Sequence, residues 1–274
     1  METIKNFSSI LIDDKQLVAV CHAEDFAGEN ALQFDTIIED FGENIVLNGT
    51  KTAVRGAADA DFFLVFSSTL VKDRNDLLYK RISAVIVPKD SDGLTIVPIS
   101  DDTQEIARGQ FCRVHFEDVE VQPDLIIGNI GYGKVYVDHL TNVGSVLYAS
   151  VALSILEKYF SNFVIDSKTE SKNGLLWRDH DTARSLAADC QLKLWSLDAM
   201  IRQTVVKRNY LFDELESEVG AIKVYSNTIR DMLHRLTSFY DAPVEGVNDD
   251  MEHLNAISRT FGTNHTALTA IGYR

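Results

Sequence analysis

Hydrophobic positions change their rhythm once along this chain. Between residues 17 and 127, short runs rich in Val, Ile and Phe recur: LVAVC (17–21), FDTII (34–38), NIVLNG (44–49), FFLVF (62–66), ISAVIV (82–87), LTIVPI (94–99) and FCRVHF (111–116). β-Branched and aromatic residues suit a pleated, half-buried surface, and turn-forming residues separate the runs, so the pattern predicts seven strands. Asn48-Gly49 and Asp92-Gly93 read as turns, because these residues tolerate positive φ. Seven strands at this spacing predict an antiparallel barrel or sandwich.

From about Tyr136 the period lengthens. Leu140, Val143, Leu147 and Val151 recur in steps of three and four, as do Leu186, Cys190, Leu194, Leu197, Ile201 and Val205. A third set runs Leu215, Val219, Ile222, Ser226, Ile229, Leu233 and Leu236. Each set marks one face of a helix. Asp249 with Glu252 three residues on predicts the start of a fourth. The expected fold is therefore α+β: an antiparallel β barrel or sandwich followed by an antiparallel four-helix bundle. Three glycines in GNIGYGK (128–134) place the joint, giving a β domain over 17–130 and a helical domain over 131–274.

Charge narrows the partners. Forty-one acids against 26 bases give a net charge of −15, a surface that repels nucleic acid and anionic membranes. No apolar run approaches the roughly 18 residues that a span needs. Cys21, Cys112 and Cys190 are too far apart for metal-ligand spacing and read as buried thiols. The seven histidines form no HxxxH or HExxH pair and read as surface or cap residues, and no metal site is expected. Trp177 and Trp195 read as packing residues.

Several stretches, in this order, resemble the acyl-CoA dehydrogenase family. LNGTKTAVRGAADADFFLVF (47–66) is similar to its LNGxKxWITNG…AD…V segment. CRVHFEDVEVQPDLIIG (112–128) resembles its C-E-V-x-F-E-D-V-x-V-P-x-x-x-x-L-G segment, and FGTN (261–264) lies where the family has E-G-T-[NS]. VKDRNDLLYKRISAVIVPKD (71–90) resembles the very-long-chain branch, which includes a complex I assembly factor. The family fold begins with a helical domain, and KNFSSILIDDKQLVAVCHAE resembles the short helix that ends it. Residues 1–16 are thus expected to be a remnant of that domain, and the chain a truncated form.

The resemblance implies FAD and a carboxylate that removes the α proton of an acyl-CoA while hydride passes to flavin. That carboxylate's place falls to Phe261, which holds no proton acceptor. Some members carry the base on the first bundle helix, near Phe160 here, with Glu157 one turn earlier as the substitute. In AEDFAGEN (23–30), matching T-E-P-x-x-G-S-D, Glu24 and Gly28 are kept. Ala23 replaces the flavin-bonding Thr, and Glu29 replaces the Ser near the CoA phosphates. In KTAVRG (51–56), matching K-x-W-I-T-N-G, Lys51 and Gly56 are kept. Thr52 is assigned the place of the aromatic wall and Val54 that of the Thr that bonds flavin N5. The arginine that reaches the FAD phosphates falls near Lys168, and the family's Gly-Gly loop near Phe239 and Tyr240.

These substitutions imply an acyl-CoA dehydrogenase-like protein that has lost its chemistry, with FAD weak or absent. It would act as a mitochondrial scaffold, or as a homodimer paired through the helical bundle. The alternatives are an active FAD-dependent dehydrogenase oxidising the Cα–Cβ bond of long-chain acyl-CoA, and a fragment without function.

Overall fold

The computed structural model describes residues 15–24, 34–40, 44–72, 75, 77–99, 111–166, 168, 174, 176–207, 218–222, 224–225, 227–229 and 231. The chain forms two compact units, residues 1–138 and 139–274.

All seven predicted strands form: β1 Val18–Cys21, β2 Ile37–Asp40, β3 Ile45–Arg55, β4 Phe62–Lys72, β5 Leu78–Pro88, β6 Leu94–Pro98 and β7 Phe111–Val121. They make one sheet, but not an antiparallel one. β1 and β2 both pair parallel to β4, while β2–β3, β3–β7, β6–β7 and β4–β5 pair antiparallel. Alternation of apolar residues identifies strands and says nothing of their direction, so the sheet is mixed where an all-antiparallel one was expected. β1 meets Phe62–Val65 and β2 meets Ser68–Thr69, so the two short strands follow one another along β4. Parallel pairing with β4 stops at Cys21 and resumes at Ile37.

Inward residues of the sheet form a core that includes Cys21, Leu47, Val54, Phe63, Val65, Val85, Cys112, Val114 and Val119. Asn48-Gly49 is not a turn. It lies inside β3 at a register shift against β7, where Asn48 and Asp118 exchange hydrogen bonds and Asp118 takes a φ of 49°. Gly49 has φ 141°, and a Cβ there would stand 2.5 Å from Thr36 Cα. The turn chemistry of the pair serves a bulge and a close backbone approach instead. Asp92-Gly93 does turn, with Gly93 at φ 83° between β5 and β6.

The helical unit contains α1 Lys134–Asp166, which begins in the first unit, and α2 Asp181–Lys207. Helical residues recur between 218 and 231. The fourth predicted helix, at Asp249–Glu252, lies outside the described residues. α2 buries Cys190, Leu194, Leu197 and Ile201 as its periodicity predicts, whereas Trp195 is exposed. α1 departs from its predicted face: Leu140, Leu147 and Val151 are exposed, while Ala149, Ala152, Leu153, Leu156, Phe160 and Phe163 form the core. Apolar residues surround this helix on every side, so its sequence offers more than one hydrophobic stripe. By length and composition, Lys134–Ile165 is also apolar enough to cross a membrane, contrary to the sequence expectation. One face of it packs into the helical core.

Candidate functional site

One carboxylate ties together the base formed by residues 22–24 and 34–36. Glu24 Oε2 accepts the backbone N–H of Asp35 at 2.5 Å, and Oε1 accepts that of Thr36 at 3.2 Å. Oε1 also accepts from Lys51 Nζ on β3 at 2.6 Å. Further bonds fix the same base: the Thr52 N–H donates to the Ala23 carbonyl, the Ser68 N–H to that of Thr36, and the Ser68 hydroxyl to that of Phe34. The side chain of Lys51 is fully buried and that of Glu24 nearly so.

A buried ammonium demands compensation. Lys51 receives it from Glu24 and from the Phe34 ring, whose centroid lies 4.0 Å from Nζ. Burial pulls the Lys51 pKa down to about 8 against the opposing pull of Glu24. Burial would push the Glu24 carboxyl up. The charge and hydrogen bond of Lys51, with further bonds from residues 35 and 36, hold it below its ordinary value. Burial likewise pushes the Cys21 thiol up to about 12. His22 packs edge-on against Phe34 and Phe66, and its buried Nε2 has no hydrogen-bond partner. Burial, reinforced by Lys51, lowers its pKa to about 4. His22 is thus a neutral core histidine rather than a surface one. It was missed because it lacks a spacing partner; only its place at the end of an apolar strand hints at burial.

The structure therefore brings two of the retained motif residues, Glu24 and Lys51, together and turns both inward. Gly56 follows β3 at φ 71° and its carbonyl accepts the N–H groups of Asp59 and Ala60, with open space where a Cβ would sit. These three residues meet the needs of the fold: a paired buried charge and a left-handed turn. Gly28 and Glu29 lie outside the described residues.

The substituted positions separate by face. Val54 is completely buried in the sheet core, half-buried Thr52 adjoins a register shift, and Ala53 and Arg55 point outward. Arg55 lies over Phe111 at 4.8 Å. A side chain at Val54 cannot reach a ligand on the outer surface. Counted from Lys51 without a gap, K-x-W-I-T-N-G puts its aromatic on Ala53 and its Thr on Arg55, the two outward positions, and its Gly on Ala57, so Gly56 stands at the Asn position and is not the motif's glycine. That outer face offers a flavin neither an aromatic wall at 53 nor a hydroxyl at 55, so these β residues do not fit the cofactor.

On the helical unit, Glu157 is exposed on α1 toward Arg202 of α2, whose charge is held chiefly by Asp198 and more weakly by Glu157. Phe160 is buried in the helical core. Lys168 is exposed. Phe261, Phe239 and Tyr240 lie outside the described residues. All three cysteines are buried and free, and the described residues contain no group of three or more His, Cys, Asp or Glu able to hold a metal.

Residues 19–119 match the acyl-CoA dehydrogenase middle domain. Over 130 residues the chain is 34% identical to the human mitochondrial short-chain specific acyl-CoA dehydrogenase, covering 47% of this chain and 30% of that protein. The bovine mitochondrial very long-chain specific enzyme is 26% identical over 137 residues, covering 49% and 21%. The chain thus aligns with about a third or less of the length of these curated relatives. The structure of butyryl-CoA dehydrogenase from Megasphaera elsdenii superposes with a TM-score of 0.79 at 20% identity, covering 98% of this chain and 70% of that one.

Proposed function

We propose that this chain, acyl-CoA dehydrogenase-like by its middle domain and its fold, works through its surfaces rather than through flavin chemistry. The observation that carries the reading is the division among motif residues. Glu24 and Lys51, which the fold requires, are kept. Ala53 and Arg55, which face outward where a FAD-dependent relative needs an aromatic and a hydroxyl, are changed. Selection for a folded shell without selection for its cofactor leaves that pattern. The replacement of the base by Phe261 points the same way.

The working form in this reading is a homodimer paired through the helical unit, acting in mitochondria, where the curated relatives reside by name. The resemblance of residues 71–90 to the very-long-chain branch supports a scaffold role there. Titration of the purified chain with FAD tests the reading: flavin fluorescence should stay that of the free cofactor. Saturable quenching at one FAD per chain would show a retained site and overturn it.

A further inference from the structure

We infer that Asn48 is a modification site, an asparagine that deamidates spontaneously and that the fold restrains through Asp118. Asparagine followed by glycine is prone to attack by the next backbone nitrogen on the side-chain amide, because no Cβ shields that nitrogen. The Gly49 nitrogen bonds to Asn48 Cγ, and the Gly49 N–H proton leaves with the amide NH2 as ammonia. The cyclic imide that results takes up one water and opens as aspartate or isoaspartate.

The sheet leaves Asn48 without ordinary cover. Leu47 pairs with Val119 and Gly49 with Phe116, so Asn48 stands alone against Glu117 and Asp118 at the register shift. Its side chain is half-buried, within reach of water. Two restraints act instead. β3 is extended, which turns the Asn48 side chain away from the Gly49 nitrogen. Asp118 also holds the amide at both ends. Asn48 Nδ2 donates to Asp118 Oδ1 at 3.0 Å, and the Asp118 N–H donates to Asn48 Oδ1 at 2.8 Å. Asp118 makes both bonds from a left-handed backbone, φ 49°, which aspartate tolerates. Imide closure has to swing the amide out of both, and the bond to the carboxylate is a strong one.

Conversion would remove the donor that faces Asp118 and put a second carboxylate in its place, two like charges across the β3–β7 pair. Isoaspartate would add a main-chain carbon to β3 as well. Gly49 packs closely on Thr36, whose amide Glu24 holds, so the change falls beside the base described above. The inference is independent of flavin, and its failure leaves the preceding reading standing.

Incubation of the whole chain at mildly alkaline pH, folded or in urea, tests it. Peptide mass spectrometry and enzymatic methylation of isoaspartate read the conversion at Asn48. The folded protein should convert about tenfold or more slowly than the unfolded chain. Asp118→Gly suits the left-handed backbone and removes the carboxylate, so it should raise the folded rate about tenfold. Asp118→Asn keeps an acceptor and should stay near the parent. Thermal melts check that both variants are folded during incubation, and the comparison of folded protein with urea needs no variant. Equal rates in the folded and unfolded chain would overturn the inference, as would no conversion in urea. A folded Asp118→Gly that converts no faster than the parent would overturn it too, and a slower rate would make Asp118 a promoter of the reaction instead of its restraint.

Discussion

The Glu24 carboxylate and the Lys51 ammonium meet at 2.6 Å with both side chains removed from solvent. One atom pair thus joins the chain after β1, the start of β2 and the middle of β3, because Glu24 also holds the amides of residues 35 and 36. Removing one partner leaves the other charge buried and unpaired. Lys51→Met should cost about 3–5 kcal/mol in urea unfolding. Glu24→Gln with Lys51→Met should cost clearly less than the two single changes added together. Additive losses would show that the pair is not the clasp.

Acid should destabilise the β unit in a defined window. His22 titrates at about 4 in the fold against an ordinary 6.5, so between those values the unfolded chain binds the extra proton. Stability therefore falls as pH drops from 6.5 toward 4, by about 3 kcal/mol from this residue. Glu24, held below its ordinary value, adds loss of the same sign as pH falls further through its folded pKa. Denaturant midpoints across this range check the slope, and His22→Phe should flatten it between 6.5 and 4.

Core and outer positions at the end of β3 should respond oppositely to the same new side chain. Val54→Thr puts a hydroxyl into a fully buried apolar site and should cost about 1–3 kcal/mol. Arg55→Thr, on the outer face, should change stability by less than about 1 kcal/mol. Equal effects in thermal unfolding would contradict the assignment of faces.

Three glycines should rank by space. Alanine at Gly56 meets only the left-handed backbone penalty, about 1–2 kcal/mol, because nothing lies near its Cβ. Alanine at Gly49 or Gly93 meets backbone atoms at 2.5 and 2.0 Å, so both should cost more. Melting temperatures of the three variants give the order.

The strands were legible because a half-buried sheet alternates, and Cys190, Leu194, Leu197 and Ile201 were legible because α2 has one apolar stripe. α1 was misread because Leu140 and Leu147 continue a stripe as regular as that of Ala149, Leu153 and Leu156. Tertiary packing chose between them. Asn48-Gly49 was misread because a bulge and a turn draw on the same residues. Parallel pairing along β4 joins segments more than 30 residues apart in sequence, beyond any local pattern. At the candidate site, the motif named Glu24 and Lys51, but only the fold shows that they face each other and that Ala53 and Arg55 face out.

The visible absorption spectrum of the protein as purified tests the central claim most directly. A flavin-free shell predicts a colourless preparation that stays colourless after FAD is added and unbound cofactor removed. A flavin band that persists at one cofactor per chain would contradict it.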